Sequence, residues 1–536
     1  MRLLSRLFGK KNKPWDDNLD IGQRQQQTEK MKLRRDLRGN LDTLTKLCGH
    51  SADVRIRRFR FGGQIDAAVV TIDGMVANSA VEEILKALMI ESRDTGPLPR
   101  GGRDLAAAVE DLVVVSSAQW SDSFGELFGR MAIGDTVVLL DGCSEALACE
   151  TTGWQTRHIT EPNAEITVRG PREGFVESIM VNTSLIRRRI RVPHLWVEHL
   201  EIGSLTQTSV AMVYIKGLVR EGVLEELRDR LGRIDIDGVL ESGYVEDFIT
   251  DQPFTIFPLL LRTERPDVVC SSLLEGRVAV LVNGSPHALV LPAELSMFVQ
   301  APDDYYEKVP IGSFVRILRW MSVIIATFLP AAYVAIINFH QELLPTALLL
   351  RIVATREGVP FPVIAEVLIM DLLFEILREA GIRLPAAIGP AISIVGALVL
   401  GEAAISAGLV SPAVVIVIAL TAIASFAIPI FSVAIAFRLL RFFFLFLGAA
   451  FGLFGLQFGL LLIIIHLCSL RSFGVPYMAP LGPLIMRDMK DNFVRLWWWA
   501  QRTRPTLVGR DDVRQPRGQG PALPPFRKSQ ETGDRK

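Results

Sequence analysis

The chain has 536 residues, with 58 Lys and Arg balanced by 58 Asp and Glu, and no nucleic-acid partner is expected of it. Its mean hydropathy is positive, but that average conceals two unlike halves. The sequence is charged and turn-rich up to about Pro310, then almost wholly apolar from Ile311 to Leu470, long enough for a bundle of spans at ~20 residues each. No Gly-rich phosphate loop, nucleophile elbow or HExxH motif is present, so neither an enzyme nor a catalytic residue or cofactor is expected.

In chain order, Met1 to Lys11 has no apolar core long enough for a signal peptide, which places the soluble half in the cytoplasm. Residues 1–54 read as a polar, basic arm with a helix from Thr28 to Lys46. The arm and the tail after Arg487 carry excess Lys and Arg, as expected beside an anionic cytoplasmic leaflet or of plain solvated termini. The cysteines (Cys48, Cys143, Cys149, Cys270, Cys468) are odd in number and irregularly spaced, which fits reduced structural thiols better than a disulfide or zinc framework. His194 and His199 stand five apart, the wrong separation for one helical face, and no metal site is expected.

The soluble half carries an internal repeat. Ala68-Val-Val-Thr-Ile-Asp-Gly74 corresponds to Ala211-Met-Val-Tyr-Ile-Lys-Gly217, and Val81-Glu-Glu-Ile84 to Leu224-Glu-Glu-Leu227 at the same offset. Val137-Val-Leu-Leu-Asp-Gly142 then corresponds to Ala279-Val-Leu-Val-Asn-Gly284 with the offset changed by one residue. Each copy reads as a buried strand, a Gly turn, an amphipathic helix and a hairpin turning at Asp-Gly or Asn-Gly. The fold class expected is therefore an α/β soluble half, built from a duplicated βα/hairpin module, followed by an all-α multi-pass transmembrane bundle. The divisions are 1–54, 55–190 and 191–309 (two cytoplasmic α/β subdomains), 310–487 (transmembrane) and 488–536 (basic tail, partly disordered).

In the apolar half, spans are expected at about Trp320 to Phe339, Ile388 to Leu409, Ala413 to Phe437 and Phe442 to Leu467. A Pro- and Gly-rich return segment over Phe473 to Met486 would bring the tail back inside. Between the first two lies a helix, Pro362 to Gly381, that is nearly long enough to cross but polar on one side. Asp371, Glu375 and Glu379 form one stripe along it at i, i+4, i+8, while Glu366 points the opposite way and needs another partner. Carboxylates among spans are costly and tend to serve ion or substrate paths. The stripe either faces a central axis, where rings of carboxylates concentrate cations, or pairs with Arg378, Arg383 or the soluble half on an interfacial helix. Glu402, alone in an apolar span, either coordinates an ion or reaches the boundary near Gly408. The candidate ion path is thus Glu366, Asp371, Glu375, Glu379 and Glu402. Pro429 should kink its span and is the candidate hinge. Small residues from Gly389 to Ala397, and the series Gly448, Gly452, Gly455, Gly459, mark faces for close helix contact.

Longer motifs run through both halves: Glu173-Gly-Phe-Val-Glu-Ser178, Ser184-Leu-Ile-Arg-Arg-Arg-Ile190, Leu240-Glu-Ser-Gly-Tyr-Val-Glu-Asp247, Arg356-Glu-Gly-Val-Pro-Phe-Pro362, Phe374-Glu-Ile-Leu-Arg-Glu-Ala-Gly381 and Arg471-Ser-Phe-Gly-Val-Pro-Tyr477. In this order, over roughly Arg55 to Pro505, the chain resembles the A-subunit family of GerA-type spore germination receptors. The resemblance implies a multi-pass protein of the spore inner membrane that forms a homo-oligomer, surrounded by membrane lipid. It implies work beside a transporter-like B subunit and a lipoprotein C subunit, in a nutrient-gated channel for monovalent cations. A paralogous accessory channel without nutrient sensing, and a non-conducting membrane scaffold, stand as alternatives.

Overall fold

The computed structural model describes residues 21–93, 103–113, 115–153, 161–162, 165, 167–383, 401–510 and 513–514. The start of the arm, the small-residue series Gly389 to Ala397 and the end of the tail lie outside these residues. The first half folds into two five-stranded antiparallel sheets of identical strand order. In the first, β1 (Val54–Phe61), β2 (Ile65–Ile72), β3 (Ala118–Ser121), β4 (Thr136–Leu140) and β5 (Ala146–Cys149) lie in the order β1-β2-β4-β5-β3. In the second, β6 (Leu195–Ile202), β7 (Thr208–Ile215), β8 (Leu261–Thr263), β9 (Val278–Val282) and β10 (Ala288–Leu291) lie in the order β6-β7-β9-β10-β8.

The repeat found in the sequence occupies matching places in the two sheets. Val70 on β2 stands opposite Val137 on β4, and its counterpart Val213 on β7 stands opposite Ala279 on β9. These strands are covered on both faces, so they are continuous apolar runs rather than alternating ones. Edge strand β1 instead alternates Arg with Ile and Phe, which keeps charge along an open edge. Gly142 and Gly284 take φ of 87° and 89° at the two hairpin turns, a region closed to most side chains. The helix Asn78–Met89 lays Ile84, Leu85 and Leu88 on Val69 and Val138. Glu221–Gly232 lays Leu224, Leu227 and Leu231 on Val210 and Val280.

One buried ion pair joins the two copies. Arg187, on the helix Ile179–Arg189, donates from Nε to Asp53 Oδ2 at 2.6 Å and from Nη2 to Asp53 Oδ1 at 3.0 Å and Ser51 Oγ at 3.1 Å. Burial opposes ionisation of Asp53, but the guanidinium and the Ser51 hydroxyl outweigh it and hold the carboxyl below its ordinary range.

The second half is helical. Among the described residues, two helices are long and apolar enough to cross a membrane, Val309–Phe339 and Phe431–Ser469. The latter is not the single crossing expected from Phe442 to Leu467. At Gly452 (φ 61°, ψ −146°) the backbone leaves the helical region and the chain doubles back. Gly459 therefore lies against Phe444, a residue that one straight helix would hold roughly 22 Å away. Phe437 on one arm meets Phe257 of the sheet half edge-on, and His466 on the other lies tilted against the same ring, with centroids at 6.0 and 6.2 Å. The bend rests by Phe339 and His340, at the far end of the first long helix. The glycine series explains itself at this hairpin: a Cβ at Gly448 would stand 2.8 Å from Ala331 O, and one at Gly455 2.3 Å from Leu447 O.

Ala413 to Phe437 is likewise not one span. The helix Pro412–Phe426 stops and a new one starts at Phe431, with Pro429 in the break. Proline lacks the N–H and crowds the preceding turn, so the chain breaks here rather than kinks. The Phe473 to Met486 segment does not cross back either. It folds onto the sheet half, where Ser472 Oγ donates to Leu259 O at 2.7 Å and Leu295 N to Tyr477 O at 2.8 Å. The hairpin has already returned the chain, and the described residues after it continue over the second sheet, with Arg510 N donating to Leu218 O at 2.7 Å and Arg514 meeting Glu275 at 2.7 Å.

Candidate functional site

The acidic helix spans Val363–Arg383. Its Val367 and Met370 pack with Val334 and Ile337 of the first long helix and Leu445 of the hairpin. That packing turns the Asp371 and Glu375 face toward the hairpin's first arm, where Arg438 and Arg441 stand three residues apart. Arg441 meets Asp371 at 2.8 Å and Glu375 at 2.9 Å, and both Arg441 and Asp371 have side chains only 1% exposed. Arg438 meets Glu375 at 3.0 Å. Arg378, one turn on along the acidic helix, reaches Glu375 only at 3.6 Å. Its guanidinium lies between the rings of Phe374 and Phe426 and donates to Ser425 Oγ at 2.7 Å.

The stripe therefore divides. Asp371 and Glu375 enter one ion cluster, whereas Glu379 is exposed and pairs with Arg383 at 2.7 Å. Glu366, on the opposite face, is fully buried. It takes Arg356 at 3.2 Å and the backbone N–H of Ser411 at 2.9 Å, the latter at the start of Pro412–Phe426. Glu402 is exposed on helical residues 401–406. The structure brings Asp371 and Glu375 together and leaves Glu366, Glu379 and Glu402 apart from them.

Arg356, Arg438 and Arg441 are the residues that sequence reasoning missed as partners. Arg438 and Arg441 read as flanks of a span, yet two arginines three apart in an apolar helix also demand carboxylates on the facing helix. Among the described residues, no group of His, Cys, Asp and Glu could hold a metal ion.

Beside the cluster lies a cavity of about 530 Å³ between the helical half and the sheet half. Arg378, Arg438 and Ser425 form its helical wall, and Glu165, Thr263 and Asp303 face them from the sheet half. Burial pushes the Glu165 carboxyl up to about 7, against a hydrogen bond from Thr263 that favours its charge.

Two α/β sheets docked on a layer of apolar helices, two of which among the described residues are long and apolar enough to cross a bilayer, point to a membrane-associated protein of mixed architecture. Residues 42–507 match the Bacillus/Clostridium GerA spore germination protein family, and the chain belongs to that family. It is 46% identical over 485 residues to spore germination protein KA of Bacillus subtilis (strain 168), covering 90% of this chain and 88% of that protein. It is 38% identical over 487 residues to spore germination protein GerLA of Bacillus cereus, covering 89% and 97%. The crystal structure of the N-terminal domain of the A subunit of the Bacillus megaterium spore germinant receptor GerK3 aligns at 36% identity. It covers 49% of this chain and 97% of that one, with a TM-score of 0.39.

Proposed function

We propose that this chain is the A subunit of a spore germinant receptor. In this reading it oligomerises in the spore inner membrane and forms a nutrient-gated channel for monovalent cations, with a transporter-like B subunit and a lipoprotein C subunit as partners. The sheet half is the cytoplasmic part, as 55–190 and 191–309, and the helical half crosses the bilayer several times. The observation that carries the reading is the match to spore germination proteins along nearly the whole chain, helical half included.

Within the candidate path the carboxylates differ in what they are free to do. Asp371 is sealed against Arg441, so its charge is neutralised inside the protein and adds little field to an axis. Glu379 and Glu402, both exposed, are the acids available to a path formed between copies. The sealing of Asp371 favours a second reading of the stripe, in which it holds the acidic helix on the hairpin and ions pass elsewhere.

Potassium flux from liposomes containing the reconstituted receptor separates the two. Glu379→Gln and Glu402→Gln lower flux if those acids line the path, with the protein as abundant as wild type. Unchanged flux in both variants removes them from it, and no flux from any preparation removes the channel.

A further inference from the structure

Asp371 and Glu375 are shared by Arg378, Arg438 and Arg441, so this buried cluster holds one more cation than anion among the described residues. Arg378 is the guanidinium left over. Its carboxylate contact is the longest of the set, its Nε has no hydrogen-bond partner, and its side chain is 9% exposed. An uncompensated charge removed from water is costly, and a bound anion relieves that cost. Arg378 lines the 530 Å³ cavity, so the missing anion has room beside it.

The cavity's other features describe the rest of the ligand. On the opposite wall Asp303 presents a buried Oδ1 with no hydrogen-bond partner, beside Glu165 and Thr167. Glu165 already accepts from Thr263 Oγ1 and Thr167 from Arg265 Nη1, so Asp303 Oδ1 is the acceptor in want of a donor, which a hydroxyl group supplies. Phe426, Phe431 and Ile382 line the cavity and are also more than half exposed, so it opens onto the apolar flank of the helices. We infer that the cavity between the sheet and helical halves binds an anionic phospholipid with a hydroxylated headgroup. Its phosphate sits on Arg378 and Arg438, a headgroup hydroxyl donates to Asp303, and its acyl chains run along Phe426 and Phe431. The inference rests on the membrane placement proposed above. A soluble polyol phosphate shares the headgroup chemistry but leaves the apolar mouth unfilled.

Native mass spectrometry of the full-length protein in mild detergent tests this, with phosphatidylglycerol, phosphatidylethanolamine, phosphatidic acid and glycerol 3-phosphate as probes. One phosphatidylglycerol per chain is expected to be retained, about tenfold over phosphatidylethanolamine, as charge-assisted hydrogen bonds imply. Arg378→Gln is expected to abolish that preference. Asp303→Asn, outside the helical layer, is expected to keep binding to the phosphate but to erase the preference for phosphatidylglycerol over phosphatidic acid. The second variant serves if the first fails to fold. Equal retention of phosphatidylglycerol and phosphatidylethanolamine overturns the assignment, as does an Asp303→Asn variant with wild-type preference. Thermal protection by glycerol 3-phosphate equal to that by the lipid overturns the lipid as occupant. Liposome flotation separates the two failures: a chain that does not float refutes the membrane placement, whereas one that floats without lipid preference refutes the cavity alone.

Discussion

Among the buried arginine ties of the described residues, one in the sheet half and one in the helical half are built differently. In the sheet half, Arg187 meets Asp53 through two hydrogen bonds, with Ser51 taking a third: one cation, one anion, all within the protein. In the helical half, three guanidiniums share two carboxylates, and two of them, Arg378 and Arg438, border a cavity. A saturated pair fixes one arrangement of the parts it joins. A cluster with a surplus charge can trade partners at low cost, because Glu375 is already shared among Arg378, Arg438 and Arg441. The first suits a rigid joint between the two copies of the module, and the second a joint between helices that must respond to something outside it.

Removing the single cation of the saturated pair should have the largest effect. Arg187→Ala leaves Asp53 buried without its counter-charge, with the Ser51 hydroxyl still donating to it, and should cost about 3–5 kcal/mol, read as a lower midpoint in denaturant. The same pair makes a pH statement. Asp53 is held below its ordinary range, so its contribution is complete above about pH 4 and is lost as pH falls through the lower folded value. The stability gap between wild type and Asp53→Asn should therefore stay level from pH 5 to 8 and close only in acid. A gap that closes near neutrality would mean the pair is not the joint described.

Arg441→Ala should cost about 3 kcal/mol, because Asp371 loses its ion-pair partner while Glu375 keeps Arg438. Gly452→Ala should cost about 1–3 kcal/mol, since alanine is strained at φ 61° and its Cβ would stand 2.8 Å from the His340 ring. The smallest effect is expected of Arg378→Met, below about 1 kcal/mol in lipid-free detergent, because it removes the surplus cation and keeps apolar bulk between Phe374 and Phe426. Were Arg378→Met as damaging as Arg441→Ala, the cluster would be saturated like the first tie and the contrast would fail.

Much of the sheet half was legible in the sequence because its signals are local. Asp141-Gly142 and Asn283-Gly284 announce turns through the one residue that tolerates positive φ, and both glycines take it. The acidic stripe was legible too, since helical spacing alone puts Asp371 and Glu375 on one face. Their partners were not. Arg441 lies far along the chain from Asp371, and nothing in either segment names the other. The doubling back at Gly452 was hidden for a related reason: a glycine in a regular small-residue series reads as packing until its φ is known.

What the sequence determined by itself was therefore periodicity and composition: a duplicated strand-and-helix module, an apolar second half, an acidic face and a family. Those properties follow from backbone geometry and the hydrophobic effect, which act on each segment separately. Only the tertiary structure decided which charges neutralise each other, where the last helix turns back, and that Arg378 is left over beside a cavity. Ion pairing between distant segments depends on packing distances of a few ångström, and those exist only once the helices have docked.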